Sequence, residues 1–136
     1  LDINCEVCYF ERFQSDWKTT TNKVISLPKG QVCIDSTGVG DPIAEEVARV
    51  RDTEMFKFSG KSKQQIMEGL ALKIQQRGIF FPSGHIENEL LDFEYIFSKG
   101  GVKYSAPSGL HDDCVCALAL ALHKWKSRGT GMYNII

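Results

Sequence analysis

An apolar helix close to the C-terminus constrains the fold more than any other stretch. After Asp113, the residues Val115, Leu118, Leu122 and Trp125 recur at helical spacing, so one face of the segment is a stripe that has to be covered. Pro107, Ser108 and Gly109 are loop residues of the kind that precede a helix start. The helix therefore opens on His111-Asp112-Asp113, with carboxylates in a first turn whose dipole favours their ionised form. Two readings fit. Either Asp112 or Asp113 caps the helix and His111 is an ordinary loop residue, or two ionised carboxylates fixed on a packed helix hold a divalent metal at an open site. The stretch alone favours the cap.

Short strands and helices alternate before it. Ile3 to Phe13 is rich in Val, Tyr and Phe and reads as a strand, and Thr19 to Leu27 as a short helix stopped by Pro28 and Gly30. Gln31 to Asp35 is a buried strand ending in a carboxylate, followed by the loop Ser36 to Gly40. Asp41-Pro42 starts a helix through about Arg51, with the aspartate as cap and the proline at the first position. Met55 to Phe58 is a strand, Ser62 caps a long helix ended by Gly78, and Ile79 to Phe81 is a strand stopped by Pro82. Ile86 to Ser98 reads as a helix with Leu90, Leu91, Phe93, Tyr95 and Ile96 on its apolar face, and Val102 to Ser105 as a strand. The alternation predicts an α/β domain with a parallel or mixed sheet.

With 136 residues the chain can build one real core. A formal net charge of −1 means that any nucleic-acid contact must come from a local basic patch. No apolar run approaches membrane-spanning length, and the last helix is broken by Lys124, so no membrane partner is expected. No signal peptide opens the chain. Leu1 is no natural start residue, and the sequence reads as a piece of something longer. Five cysteines are an odd set for a disulfide framework. Cys5-x-x-Cys8 has a zinc-like spacing, but Cys114 and Cys116 fall in the apolar helix, so reduced thiols are the better reading.

Asp35 stands at the carboxyl end of a strand, where α/β sheets place ligands. A metal there and a hydrogen bond to the following loop are equally good accounts of it. Gly38-Val39-Gly40 is no dinucleotide fingerprint, because Ile43 stands where a third glycine belongs. Gly60-Lys61-Ser62 is no P-loop, because Met55 replaces its leading glycine. Lys61 and Lys63 lie at a helix N-terminus, where cations are disfavoured unless an anion is bound; a solvated loop is the better account of any one lysine, while Lys57, Lys61 and Lys63 within seven residues together fit a DNA-backbone contact. Glu87 and Glu89 most simply satisfy the dipole of the helix they open, and His85 and His123 read as surface residues.

Taken together, these pieces resemble the C-terminal nuclease domain of large terminase subunits, the DNA-packaging motors of tailed bacteriophages. The carriers are Tyr9-Phe10-Glu11-Arg12-Phe13, the run from Ile34 to Pro42, Phe58 to Lys63, Tyr104-Ser105-Ala106-Pro107, and His111-Asp112-Asp113 followed by Ala117 to Ala121. The resemblance implies an RNase H-like mixed sheet flanked by helices, spanning 1–128, with a tail over 129–136. It implies cleavage of concatemeric double-stranded DNA with two divalent ions, Mg²⁺ or Mn²⁺, held by Asp35, Asp112 and Asp113, with His111 orienting water or phosphate. It also implies a small terminase subunit, a portal and an ATPase domain as partners, and a phage or prophage protein at work in the bacterial host cytoplasm.

The family's first, central strand and its carboxylate should lie upstream of Leu1, as should the ATPase half. The piece is therefore expected to bind metal weakly and cut poorly, and its strand near Val7 to Phe13 to pair abnormally or swap with another copy. A junction resolvase of the same fold class, and a non-catalytic DNA-docking module such as a prophage remnant, are the alternatives.

Overall fold

A computed structural model describes residues 1–38 and 41–127; the expected tail over 129–136 lies outside them. The helices form where the sequence supplies caps. α1 (Trp17–Ser26) begins at Asp16, whose carboxylate accepts from the Thr19 amide at 3.0 Å. α2 (Pro42–Ala48) begins at Asp41, which accepts from the amides of Ile43 and Ala44. α3 (Gly60–Gln75) starts three residues earlier than expected, because Ser59 is the cap and Ser62 closes a capping box back to the Ser59 amide. α4 (His85–Asp92) and α5 (Asp113–Ser127) complete the set.

The core lies between α3 and α5. Met67 and Leu70 of α3 join Val115, Leu118 and Leu122 of α5 in one buried cluster that also takes in Cys5, Ile79 and Ile86. The expected stripe on the last helix is thus the stripe that is covered, with Trp125 half-buried at its end.

Two small sheets flank the core. β1 (Val32–Asp35) pairs in parallel with β2 (Thr53–Phe56), with Val32 opposite Thr53 and Asp35 opposite Phe56. The amides of Val32 and Ser36 donate to Asp52 and Phe56, both on the β2 side. In a parallel ladder alternate residues face alternate edges, so the backbone groups of Cys33 and Asp35 face away from β2. Among the described residues no third strand joins this sheet.

Three expectations are corrected. Ile3 to Phe13 is not a strand. It makes a single parallel bridge, Glu6 to Phe80, with the Val7 amide donating to Phe80 O at 2.8 Å, and Ile79 to Phe81 contributes no more than that bridge. Alternation alone makes no strand where no neighbour completes the ladder. Second, the helix expected through Ser98 stops at Asp92. Glu94–Ser98 is β3, which forms an antiparallel hairpin with β4 (Gly101–Ser105) across the two-residue turn Lys99-Gly100. A run of Tyr, Ile and Phe before a double glycine is hairpin chemistry, and Gly101 sits at φ +117, open to glycine at no steric cost. Third, His123 is not a surface residue: its Nε2 lies 3.0 Å from Glu54 Oε1 and its ring packs edge-on against Phe56, so it ties α5 to β2.

Candidate functional site

A groove of about 850 Å³ opens between β1, the N-terminal segment and one face of α5. Asp35, Lys63, Asp112 and Asp113 all line it. It lies beside the edge of β1 that turns away from β2.

Asp35 reaches the groove from the carboxyl end of β1. Its Oδ1 accepts from the Thr37 amide at 2.9 Å and from the Thr37 hydroxyl, while Thr37 Oγ1 accepts from the Phe58 amide at 2.9 Å. Thr37 thus pins the carboxylate to the segment leaving β2. The loop-bonding account of Asp35 therefore holds for one oxygen, and the residue remains exposed at the groove.

Asp112 stands at the start of α5, where its carbonyl accepts the first helical bond from the Cys116 amide. Its carboxylate turns away from the helix and accepts from Lys63 Nζ at 2.8 Å. Burial, the largest single influence, would lower the Lys63 amine, but the hydrogen bond to Asp112, the charge of that carboxylate and the neighbouring Cys116 together outweigh it, and the amine is held above its ordinary value. Asp113, largely exposed, has its Oδ2 at 3.9 Å from the Arg12 guanidinium and 3.8 Å from His111 Nδ1.

Neither aspartate caps α5. The first-turn amides of Cys114 and Val115 donate instead to Glu89 Oε2 of α4, at 2.6 and 3.3 Å. Glu89 is a buried residue and does not serve the dipole of its own helix, as the sequence suggested. Its other oxygen, Oε1, is buried and takes no hydrogen bond; Arg12 stands 4.0 Å from it.

The Cys116 thiol lines the same groove. It is pushed up to about 11, first by burial; Lys63 opposes this, while Asp112, Asp113 and Asp35 all add to it. Three carboxylates from two elements therefore act on one point of the groove. Among the described residues, however, no three His, Cys, Asp or Glu side chains converge at metal-ligating geometry. The carboxylates of Asp35, Asp112 and Asp113 are hard oxygen donors, the type that takes Mg²⁺ or Mn²⁺, although the thiols of Cys8, Cys33 and Cys116 line the groove as well, and an ammonium already stands as the cation against Asp112. Of the three expected DNA-contacting lysines, Lys57 and Lys61 are exposed, while Lys63 is engaged with Asp112.

Sequence reasoning missed Thr37, Arg12 and Glu89 as members of the site. The only signal for Glu89 was its position three residues after Ile86, on the inward face of α4, where a carboxylate needs a buried partner.

No family model matches the chain. It is 29% identical over 94% of its length to the large terminase subunit of Thermus virus P23-45, of which it spans 28%. Among solved structures it resembles the magnesium-bound large terminase nuclease of the thermophilic phage G20c, with TM-score 0.73 and 30% identity over 81% of this chain and 62% of that one. The large terminase nuclease domain of Thermus phage P74-26 shares the fold at TM-score 0.70 and 20% identity, over 88% of this chain and 66% of that one. The G20c nuclease also has a solved structure with bound cobalt.

Proposed function

On the premise that this chain is a relative of the large terminase nucleases, with their RNase H-like α/β fold, we propose that it is the greater part of a metal-dependent DNA endonuclease domain from a phage or prophage packaging motor. The observation that carries the reading is the gathering of Asp35, Asp112 and Asp113 on one groove, with the cap of α5 supplied from elsewhere. Asp35 and Asp113 would hold divalent ions, and Asp112 would join them on releasing Lys63. Mg²⁺ or Mn²⁺, two ions in the complete domain, would supply the activated water and neutralise the leaving 3′ oxygen of a double-stranded DNA backbone.

The residues of this chain have definite tasks. Thr37 holds Asp35 in place. Lys63, once released from Asp112, is a cation within reach of a phosphate at the groove, and Lys57 and Lys61 add backbone contacts along the exposed start of α3. His111 orients water or phosphate next to Asp113. The chain spans 28% of the curated relatives, so the substrate, the ATPase and portal partners, the small subunit and action in the bacterial cytoplasm belong to this proposal too. Among the described residues no helix is long and apolar enough to cross a membrane.

The test is plasmid nicking with Mn²⁺ or Mg²⁺, on this chain and on one extended upstream by a further strand. The extended protein is expected to cut, this chain to cut at least tenfold more slowly, and Asp35→Ala and Asp113→Ala to abolish cutting in both. A specific observation favours a second reading, a non-catalytic DNA-docking module: Asp112 is paired with Lys63, and among the described residues no three ligands converge. Salt-sensitive DNA binding by the extended protein without cleavage in either metal would decide for that reading.

A further inference from the structure

We propose that Glu89 is a positioning residue for the carboxylates of α5: by capping that helix from α4, it keeps Asp112 and Asp113 available to cations. This rests on the proposed metal-binding role of the two aspartates.

A helix start leaves its first amides without partners, and an aspartate at the cap position ordinarily turns its own carboxylate back onto them. Asp112 occupies that position, since its carbonyl takes the first helical bond from Cys116. Its carboxylate nevertheless points the other way, to Lys63 at 2.8 Å. It can do so because Glu89 Oε2 already fills the amides of Cys114 and Val115. Glu89 comes from 25 residues upstream, and its side chain is 9% exposed, a costly place for a carboxylate unless it is put to use.

The second oxygen extends the arrangement. Glu89 Oε1 is buried and takes no hydrogen bond, and the nearest cation is Arg12, 4.0 Å away. The same guanidinium stands 3.9 Å from Asp113 Oδ2. Arg12 therefore lies between the buried carboxylate and the exposed one. When a metal claims Asp113, Arg12 has Glu89 Oε1 to close upon, so it need not be left without a counter-charge.

If Glu89 is shortened to alanine, the vacant amides are within reach of Asp112 itself. The expected result is a protein that keeps α5 and loses a metal ligand. Mn²⁺ binding to the full chain, read by electron paramagnetic resonance of the free ion, is expected to weaken about tenfold in Glu89→Ala. It is expected to return to within about twofold of wild type in Glu89→Gln, whose amide oxygen still accepts from both amides. The far-ultraviolet helical signal should be unchanged in both.

A second measurement holds even if Glu89→Ala does not fold. In a Lys63→Met background, where the ion pair to Asp112 is already gone, adding Asp112→Ala should leave the melting temperature within a degree or two of its parent, because with Glu89 in place Asp112 caps nothing. The reverse pattern would overturn the proposal: Asp112→Ala lowering the melting temperature in that background as a lost cap does, or a folded Glu89→Ala binding Mn²⁺ as wild type does. If Mn²⁺ binding to wild type is indifferent to both Asp35→Ala and Asp113→Ala, the metal-binding premise itself fails, and that outcome is separate from either.

Discussion

Arg51 does more for the fold than any other single cation described in the structure. Its guanidinium donates to the carbonyls of Val24, Leu27, Pro28 and Gly30, at 2.8, 3.1, 2.7 and 3.1 Å. Those carbonyls come from the last turn of α1 and the loop leading to β1; the Val24 carbonyl also takes the Leu27 amide, and the others lie where helical partners run out. One planar fork thus fixes the entry of the strand that ends in Asp35. Lysine cannot serve four acceptors in this fan. Arg51→Lys is expected to cost about 2 kcal/mol, the scale of one or two charge-assisted bonds at a partly exposed site, as read by urea denaturation.

The thiols give a second prediction at this scale. Burial pushes Cys33 up to about 11, and Glu54 adds to it while Lys124 opposes; Cys116 stands at about the same value. The ordinary value of 9.0 applies in the unfolded chain. A folded value above the unfolded one means stability that is fully present below pH 9 and is lost as the pH rises through about 11. The melting temperature should therefore fall steadily over that interval. At pH 8, iodoacetamide should label the exposed Cys8 well before Cys33 or Cys116, as mass spectrometry of a time course would show.

At the scale of elements, α5 carries the core. Leu122 and Val115 are almost wholly buried, and Leu70 faces them from α3. Leu122→Ala should cost about 2–5 kcal/mol, since it removes buried methyl groups and leaves a cavity between two rigid helices. This was the part most legible in the sequence, because a helical stripe is periodic and its burial follows from the period. The cap at Asp41 was legible for the same local reason, as was β1, whereas the cap at Asp16 was not read.

What could not be read locally is what depends on a distant partner. Residues 7–13 alternate as a strand should, yet the strand does not form where only Phe80 offers a bond. Phe93 to Ile96 fits a helix period as well as a hairpin, and the double glycine after it was the stronger sign. Glu89 reads in sequence as a helix-opening acid because nothing within reach of a sequence window connects it to amides 25 positions later.

At the scale of the molecule, β1 pairs on one edge only among the described residues, and the groove lies along its other edge. The backbone groups of Cys33 and Asp35 face it, and an open strand edge invites pairing. Sedimentation velocity at rising concentration is expected to show this chain pairing with a second copy through that edge; a monomer at all concentrations would argue against strand exchange between copies.

The indole of Trp125 lines the same groove, and its Nε1 donates at 2.8 Å to the carbonyl of Asp2. It lies at the seam where the first and last described segments meet, with the Lys73 ammonium 4.8 Å above its ring. Trp17, the other tryptophan, is 67% exposed and far less sensitive to the interior. With Trp17 replaced by phenylalanine, the emission of one fluorophore becomes a gauge of that seam. A segment or second copy settling into the groove should shift it to the blue as water leaves the ring, and parting of the N-terminal segment from α5 should shift it to the red, so that assembly and opening can be followed as opposite colours in one cuvette.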